Sequence, residues 1–252
     1  MAVVEITAID DGIATLTLQG GRANALGDAF CSALHEAIEQ AREDERIRGV
    51  LLTGSGRFFS AGRDLREADE TRPGRRSNNS FEMAMRAAFS FPKPMVAAVN
   101  GHAVAGGLVL ALAADYCVLV EGDYKLGLTE LDIGLPFPRV AFEILRCALP
   151  PAAITRLAYG ADLIGPKEAH QLGVGQELAP ADQLTQRALA WLWPVAERPQ
   201  QPFALCKRWL RAEAVGRIEG QSDEERRATA EVSASAESRA RLAGYAKRLR
   251  GE

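Results

Sequence analysis

Much of what this sequence can be is bounded by what it lacks. It has no basic excess: 30 lysines and arginines face 33 aspartates and glutamates, a formal net charge of −3 at pH 7. Nucleic-acid binders carry a positive surplus or stripe, so no nucleic-acid partner is expected. Cysteine is scarce. Cys31, Cys117, Cys147 and Cys206 form no C-x-x-C pair and have no histidine at a metal-ligand spacing, so no metal is expected. The four thiols read as reduced, partly buried packing residues, in keeping with a cytoplasmic setting. Long apolar runs are also missing. The longest, residues 103–114, stops at Asp115 and is too short to span a bilayer. Residues 1–5 offer no basic lead into an apolar stretch, which argues against a signal peptide. No internal repeat, linker or low-complexity tract is present.

What remains is an ordinary soluble mixture, 47% hydrophobic and 25% charged over 252 residues. That suffices for one large core, with or without an appendage. Residues 3–9 and 13–18 alternate around Asp10-Asp11-Gly12, a hairpin pattern. The segment Asp28–Glu43 sets Phe30, Leu34, Ala37, Ile38 and Ala41 on one helical face. Short buried strands are expected at residues 50–53, Met95–Val99 and Tyr116–Val120, with a helix over 106–114 between the last two. This alternation indicates an α/β core. After Pro138 the pattern turns helical. Pro166 opens one helix that Gly173 ends, another runs from about Ala181 to near Pro194, and a third follows Pro202. Ser222-x-x-Glu225 has capping-box spacing. It opens a helix acidic at its start (Asp223, Glu224, Glu225) and basic at its end (Lys247, Arg248, Arg250), which matches the helix dipole. The chain thus divides into a core over 1–195 and a helical region over 196–252.

Two glycine-bearing segments stand out: Phe58-Phe59-Ser60-Ala61-Gly62-Arg63-Asp64-Leu65 and Asn100-Gly101-His102-Ala103-Val104-Ala105-Gly106-Gly107. Each sits where an apolar strand hands over to a helix. Small residues there admit a ligand close to the main chain, and helix starts leave N–H groups unsatisfied. Two such N–H groups aimed at one point stabilise a negatively charged oxygen, which suggests acyl chemistry through an enolate or tetrahedral oxyanion.

With these segments in place, the chain resembles the crotonase superfamily, the enoyl-CoA hydratase/isomerase family. The matching elements run in order from Asn24-Ala25-Leu26 through the two segments above. They continue with Ala113-Ala114-Asp115-Tyr116, Gly127-Leu128-Thr129-Glu130-Leu131-Asp132-Ile133-Gly134 and Lys167-Glu168-Ala169-x-x-x-Gly173-Val174. The resemblance implies a spiral of ββα repeats with a helical C-terminal trimerisation region, assembled as a homotrimer or hexamer. It implies acyl-CoA thioester substrates, with coenzyme A part of the substrate and no separate cofactor. The enolate oxygen would be held by the N–H groups of Arg63 and Gly106. Ala25, Ala61, Gly62, Arg63, Asp64, Leu65, Gly106 and Val109 would line the substrate pocket.

Hydratases of this family carry two glutamates. One lies three residues after the oxyanion glycine, where this chain has Val109; the other corresponds to Glu130. A single carboxylate suits proton transfer from C2 to C4 of a 3-enoyl-CoA, and the segment around Glu130 is similar to mitochondrial-type Δ3,Δ2-enoyl-CoA isomerases. An apolar setting among Leu128, Leu131 and Ile133 would lift the Glu130 pKa toward neutrality. Hydration, another crotonase reaction, or acyl-CoA binding without turnover are the alternatives. Asp64 reads as a helix cap in the spacing Asp64-Leu65-Arg66-Glu67. Asp132 reads either as a second carboxylate or as a turn residue facing away. His102 reads as a packing or solvent residue, His35 as a helix-surface residue, His170 as an ordinary helical residue, and Arg72, Arg75 and Arg76 as a solvated loop or a contact to the CoA phosphates.

Overall fold

The computed structural model describes residues 3–21, 23–64 and 78–250. In chain order the first strands are β1 (Val3–Asp10), β2 (Ile13–Gln19), β3 (Gly49–Gly54), β4 (Phe58–Ser60) and β5 (Met95–Val99). They continue with β6 (His102–Val104), β7 (Tyr116–Val120), β8 (Leu126–Gly127), β9 (Leu163–Ile164) and β10 (Glu177–Ala179). The helices are α1 (Asp28–Glu43), α2 (Asn78–Phe89), α3 (Gly106–Leu112), α4 (Arg139–Ala148) and α5 (Pro151–Ile154), the last running into a π-turn at Thr155–Tyr159. Then come α6 (Pro166–Gln171), α7 (Leu184–Ala196), α8 (Gln200–Glu219), α9 (Asp223–Ser233) and α10 (Ala236–Arg250).

The larger sheet has six strands in the order β1-β2-β3-β5-β7-β10. Its one antiparallel pair is the β1–β2 hairpin, turned through Asp11 (φ 45°) and Gly12 (φ 80°). That is the left-handed pair a two-residue hairpin loop needs, and it explains the Asp-Gly signal. The other pairings are parallel, so both faces must be covered. One face packs on α1, α2 and α3 in the main core. The other carries Val96, Ala98, Val118 and Val120 and is covered by Leu184, Ala188, Leu192 and Ala196 of α7. The mixed α/β fold with its helical C-terminal region matches the expected crotonase architecture.

A second, four-stranded sheet of order β4-β6-β8-β9 lies beside the first. Its strands are two or three residues long, too short to show a period in the sequence, and β4 and β6 fall inside the two glycine-bearing segments singled out above. This sheet carries the candidate site.

Helix α8 is bound to the core by a buried ion triad. Asp115 accepts from Lys207 Nζ at 2.6 Å and from Arg211 Nη2 at 2.8 Å. Arg211 also donates to the carbonyls of Phe89, Ala113 and Ala114, which end α2 and follow α3. Desolvation pulls Lys207 down to about 8 even with Asp115 beside it. Removing one partner of such a cluster would strand a buried charge, at a cost of about 3–5 kcal/mol.

Several helix boundaries differ from the sequence reading. The helix expected from Ser222 to the C-terminal basic residues is two helices. Ser222 and Glu225 form the capping box of α9, but the chain breaks at Ala234. Ser235 Oγ then accepts the Ser238 N–H at 3.1 Å, restarting a helix. α7 runs two residues past Pro194, which sits in its last turn and there removes one backbone hydrogen bond, and α8 starts two residues before Pro202, in a first turn where a missing N–H costs little. α3 ends at Leu112. Cys31 and Cys117 are buried as expected. Cys147 and Cys206 instead are exposed, lining a surface cavity of about 390 Å³ between α4 and α8. The polar stretch 70–80, which the sequence pattern reads as a loop, is described only from residue 78, where α2 begins.

Candidate active site

Three parallel strands of the small sheet end side by side. β4 leads into residues 61–64, β6 into Ala105 and Gly106, and β8 into residues 128–130. Ser60 pairs with Ala103, and Val104 with Gly127. Adjacent strands stand about 4.8 Å apart, so the three ends span roughly 10 Å. Parallel sheets collect ligands at the carboxyl ends of their strands.

The first two ends touch. Gly62 has φ +81°, and a Cβ there would stand 2.6 Å from Val104 O and 3.1 Å from Gly106 N. Glycine is therefore required both by conformation and by the close approach. Leu26 pairs with the residues on either side of Arg63: its N–H donates to Gly62 O at 2.8 Å, and its carbonyl accepts from Asp64 N at 3.4 Å. The Arg63 N–H is thereby directed to the opposite edge of the segment. Ala25 lies half-buried beside this pairing.

Gly106 opens α3, all seven residues of which are buried, Val109 among them. The preceding Ala105 holds φ 51° and ψ −127°, a conformation costing an alanine about 1–3 kcal/mol. Its N–H donates to Gly127 O at 2.7 Å, and its carbonyl accepts from Leu108 and Val109 at 2.9 and 3.1 Å. The Phe81 ring of α2 lies against Gly106.

Glu130 occupies the third end. It is 9% exposed, and its Oε2 has no hydrogen-bond partner among the described residues. Burial raises its carboxyl from an ordinary 4.5 to about 7, against a smaller opposing pull from its own N–H and that of Thr129. The turn beyond it is closed by Ile133 N to Thr129 O at 3.2 Å and Leu135 N to Glu130 O at 2.8 Å. Asp132 lies exposed in this turn and lines a surface pocket with Leu131, Tyr159 and Asp162.

The remaining residues singled out in the sequence fall as follows. His102 accepts the Lys125 N–H at Nδ1 (3.0 Å) and packs between Phe58 and Tyr124. Desolvation, then Arg57, lowers its pKa, in line with packing. Asp64 is half-buried at the end of the described segment, whereas Leu65, Glu67, Arg72, Arg75 and Arg76 lie outside the described residues. His35 and His170 are half-buried in α1 and α6.

Three polar residues that organise the site carried no assigned role in the sequence reading. Asn24, 3% exposed with φ 51°, donates from Nδ2 to the carbonyls of Ser55, Phe58 and Phe59, and its Oδ1 accepts from Gly20 N. Ser60 Oγ donates to Asn24 O at 2.8 Å and accepts the Gly62 N–H at 3.1 Å. Asn100 Oδ1 accepts the Gly54 N–H at 2.8 Å. The signal was an asparagine next to each apolar strand end. Apart from Gly20, the partners of these asparagines named here lie 31 to 46 positions away and were not visible in the sequence.

A family model described as enoyl-CoA hydratase/isomerase matches residues 8–251. A Bacillus subtilis protein named a probable enoyl-CoA hydratase is 32% identical over 217 residues, 84% of each chain. A Thermus thermophilus protein named a putative enoyl-CoA hydratase is 36% identical over 196 residues, 76% of this chain and 77% of the relative. The crystal structure of human mitochondrial delta3-delta2-enoyl-CoA isomerase superposes with a TM-score of 0.92 at 26% identity, covering 99% of this chain and 98% of that one. A match over nearly the whole chain, on a fold whose small sheet gathers the same motifs at one edge, places this protein in the enoyl-CoA hydratase/isomerase family.

Proposed function

We propose that the protein is an isomerase that moves the double bond of a 3-enoyl-CoA to the 2-trans position, as fatty-acid oxidation requires. The observation that carries this reading is the buried Glu130 carboxyl, poised near neutrality at the strand end beside the one that delivers Gly106. Ionised, Glu130 takes a proton from C2. The C–H electron pair moves into the thioester, giving an enolate whose oxygen accepts hydrogen bonds from Arg63 N–H and Gly106 N–H. The carbonyl then re-forms, the 3,4 π pair takes the same proton at C4, and a 2,3 double bond remains. Atoms and charge balance without water or a second base. A carboxyl titrating near pH 7 can both accept and return the proton, and fixed N–H donors stabilise the enolate as its charge develops.

The pocket residues in this reading are Ala25, Ala61, Gly62, Arg63, Asp64, Gly106 and Val109, with coenzyme A arriving as part of the substrate. Val109 supplies no carboxylate where the resemblance puts the second glutamate of a hydratase. Hydration is the second reading, favoured by the names of the Bacillus and Thermus relatives. Product analysis with a 3-enoyl-CoA and a 2-enoyl-CoA side by side decides between them. The expected result is much faster isomerisation of the first than hydration of the second. Efficient hydration would overturn the assignment, and binding without turnover of either would make the protein an acyl-CoA carrier.

The same reading places the enzyme in the cytoplasm as a homotrimer or hexamer. Exposed Trp209 and Leu210 on α8, 66% and 78% accessible in the single chain, support an assembled state. A light-scattering mass of about three or six chains is expected at micromolar concentration, and a mass of one chain would exclude it.

A further inference from the structure

In the single chain, the terminal helices α9 and α10 bury almost none of their described side chains. Of the described side chains in residues 221–250 only one is buried, and it is polar: Ser238, 3% exposed. Helices usually dock through an apolar stripe, whereas this pair meets the core through a hydroxyl. Ser238 Oγ lies 2.6 Å from Gly134 O and 2.7 Å from Val232 O. Ser235 Oγ donates to Ser238 Oγ at 2.9 Å. Ser238 has one hydroxyl proton, so two carbonyls compete for it. One belongs to the helix pair itself, and the other to the turn that carries Glu130.

Gly134 is part of the closure of that turn. Its N–H donates to Leu131 O at 3.1 Å, one residue before Leu135 N reaches Glu130 O. It adopts φ +74°, and a Cβ there would stand 3.1 Å from Ser238 Cα and 3.0 Å from Arg241 Cδ. Turn backbone and helix are therefore in direct contact. An ion pair from Arg139 of α4 to Glu225 attaches α9 independently. The Ser238 hydroxyl is thus not the only tie holding the pair in place; it sets the register of α10 against the turn.

We infer that Ser238 is a positioning residue, whose hydroxyl fixes the 130–135 turn through Gly134 and so sets the direction in which the Glu130 carboxylate meets its substrate. The inference rests on Glu130 being the base. Misplacing a reacting group by about 1 Å can cost on the order of 10²-fold in rate, so a hydroxyl outside the pocket can govern turnover without touching substrate.

The test compares Ser238→Ala and Ser238→Thr with the wild type, all as full-length chains. Hydrogen exchange of the 129–135 amides, without ligand, should be roughly tenfold faster in Ser238→Ala and near wild type in Ser238→Thr. With a 3-enoyl-CoA, kcat of Ser238→Ala should fall by about 10-fold or more while KM stays within about twofold, and threonine should recover it. Unchanged exchange in Ser238→Ala overturns the latch whatever reaction the enzyme runs. Faster exchange with unaltered kcat overturns the positioning role, as does a loss that merely follows a smaller folded fraction. The wild-type turnover on the 3-enoyl-CoA judges the base assignment separately, so failure of one is distinguishable from failure of the other.

Discussion

Replacing Glu130 by glutamine should abolish isomerisation and strengthen the fold. Glutamine keeps the shape and hydrogen bonding of the neutral acid but cannot take a proton. Loss of a general base typically costs about 10²–10⁴-fold, and a sole shuttle belongs at or beyond the upper end. Binding of a saturated acyl-CoA should persist, since the CoA contacts are untouched. The stability effect follows from linkage. The native carboxyl titrates near 7, against an ordinary 4.5 in the unfolded chain. The buried proton thus contributes stability that is fully present below about pH 4.5 and lost as pH rises through about 7. Glutamine removes that loss. The variant should gain little at about pH 5 and up to about 3 kcal/mol at pH 8, measured from urea midpoints. Near-normal turnover, or an equal gain at both pH values, would show that the catalytic proton has been misplaced.

The second large effect concerns a peptide N–H. Arg63→Pro should lose about 10²–10³-fold in kcat, the usual cost of one oxyanion donor, because proline has no N–H. Arg63→Ala should keep most of its turnover, since it removes only the guanidinium. The contrast isolates the main chain as the working group. Equal losses in the two variants, with both folded by circular dichroism, would count against the assignment.

How much of this was legible in the sequence depends on the range over which each feature is decided. The β1–β2 hairpin was readable because Asp11 and Gly12 supply the two left-handed residues locally. The parallel strands announced themselves as short apolar runs, since both faces are buried. The burial of Glu130 was readable from its apolar neighbours. The small sheet was not, because a strand of two residues such as Leu126–Gly127 has no period and exists only through its partners. The break between α9 and α10 was missed because Ser235 caps a helix in a stretch with no glycine or proline, where local propensity allows continuation. Asn24 was quoted within a motif, but its task is to join three carbonyls more than thirty residues away.

The alanine at position 105 has an evolutionary consequence. Glycine would occupy φ 51° and ψ −127° without strain, so the folded chain carries a penalty that a one-residue change would relieve. In exchange, the methyl group denies the peptide ahead of Gly106 its alternative orientations. An enolate forming there would meet a donor that is already in place, with nothing to rotate as the charge appears. On the proposed reading, relief of this strain and a fixed Gly106 donor would favour different residues at position 105.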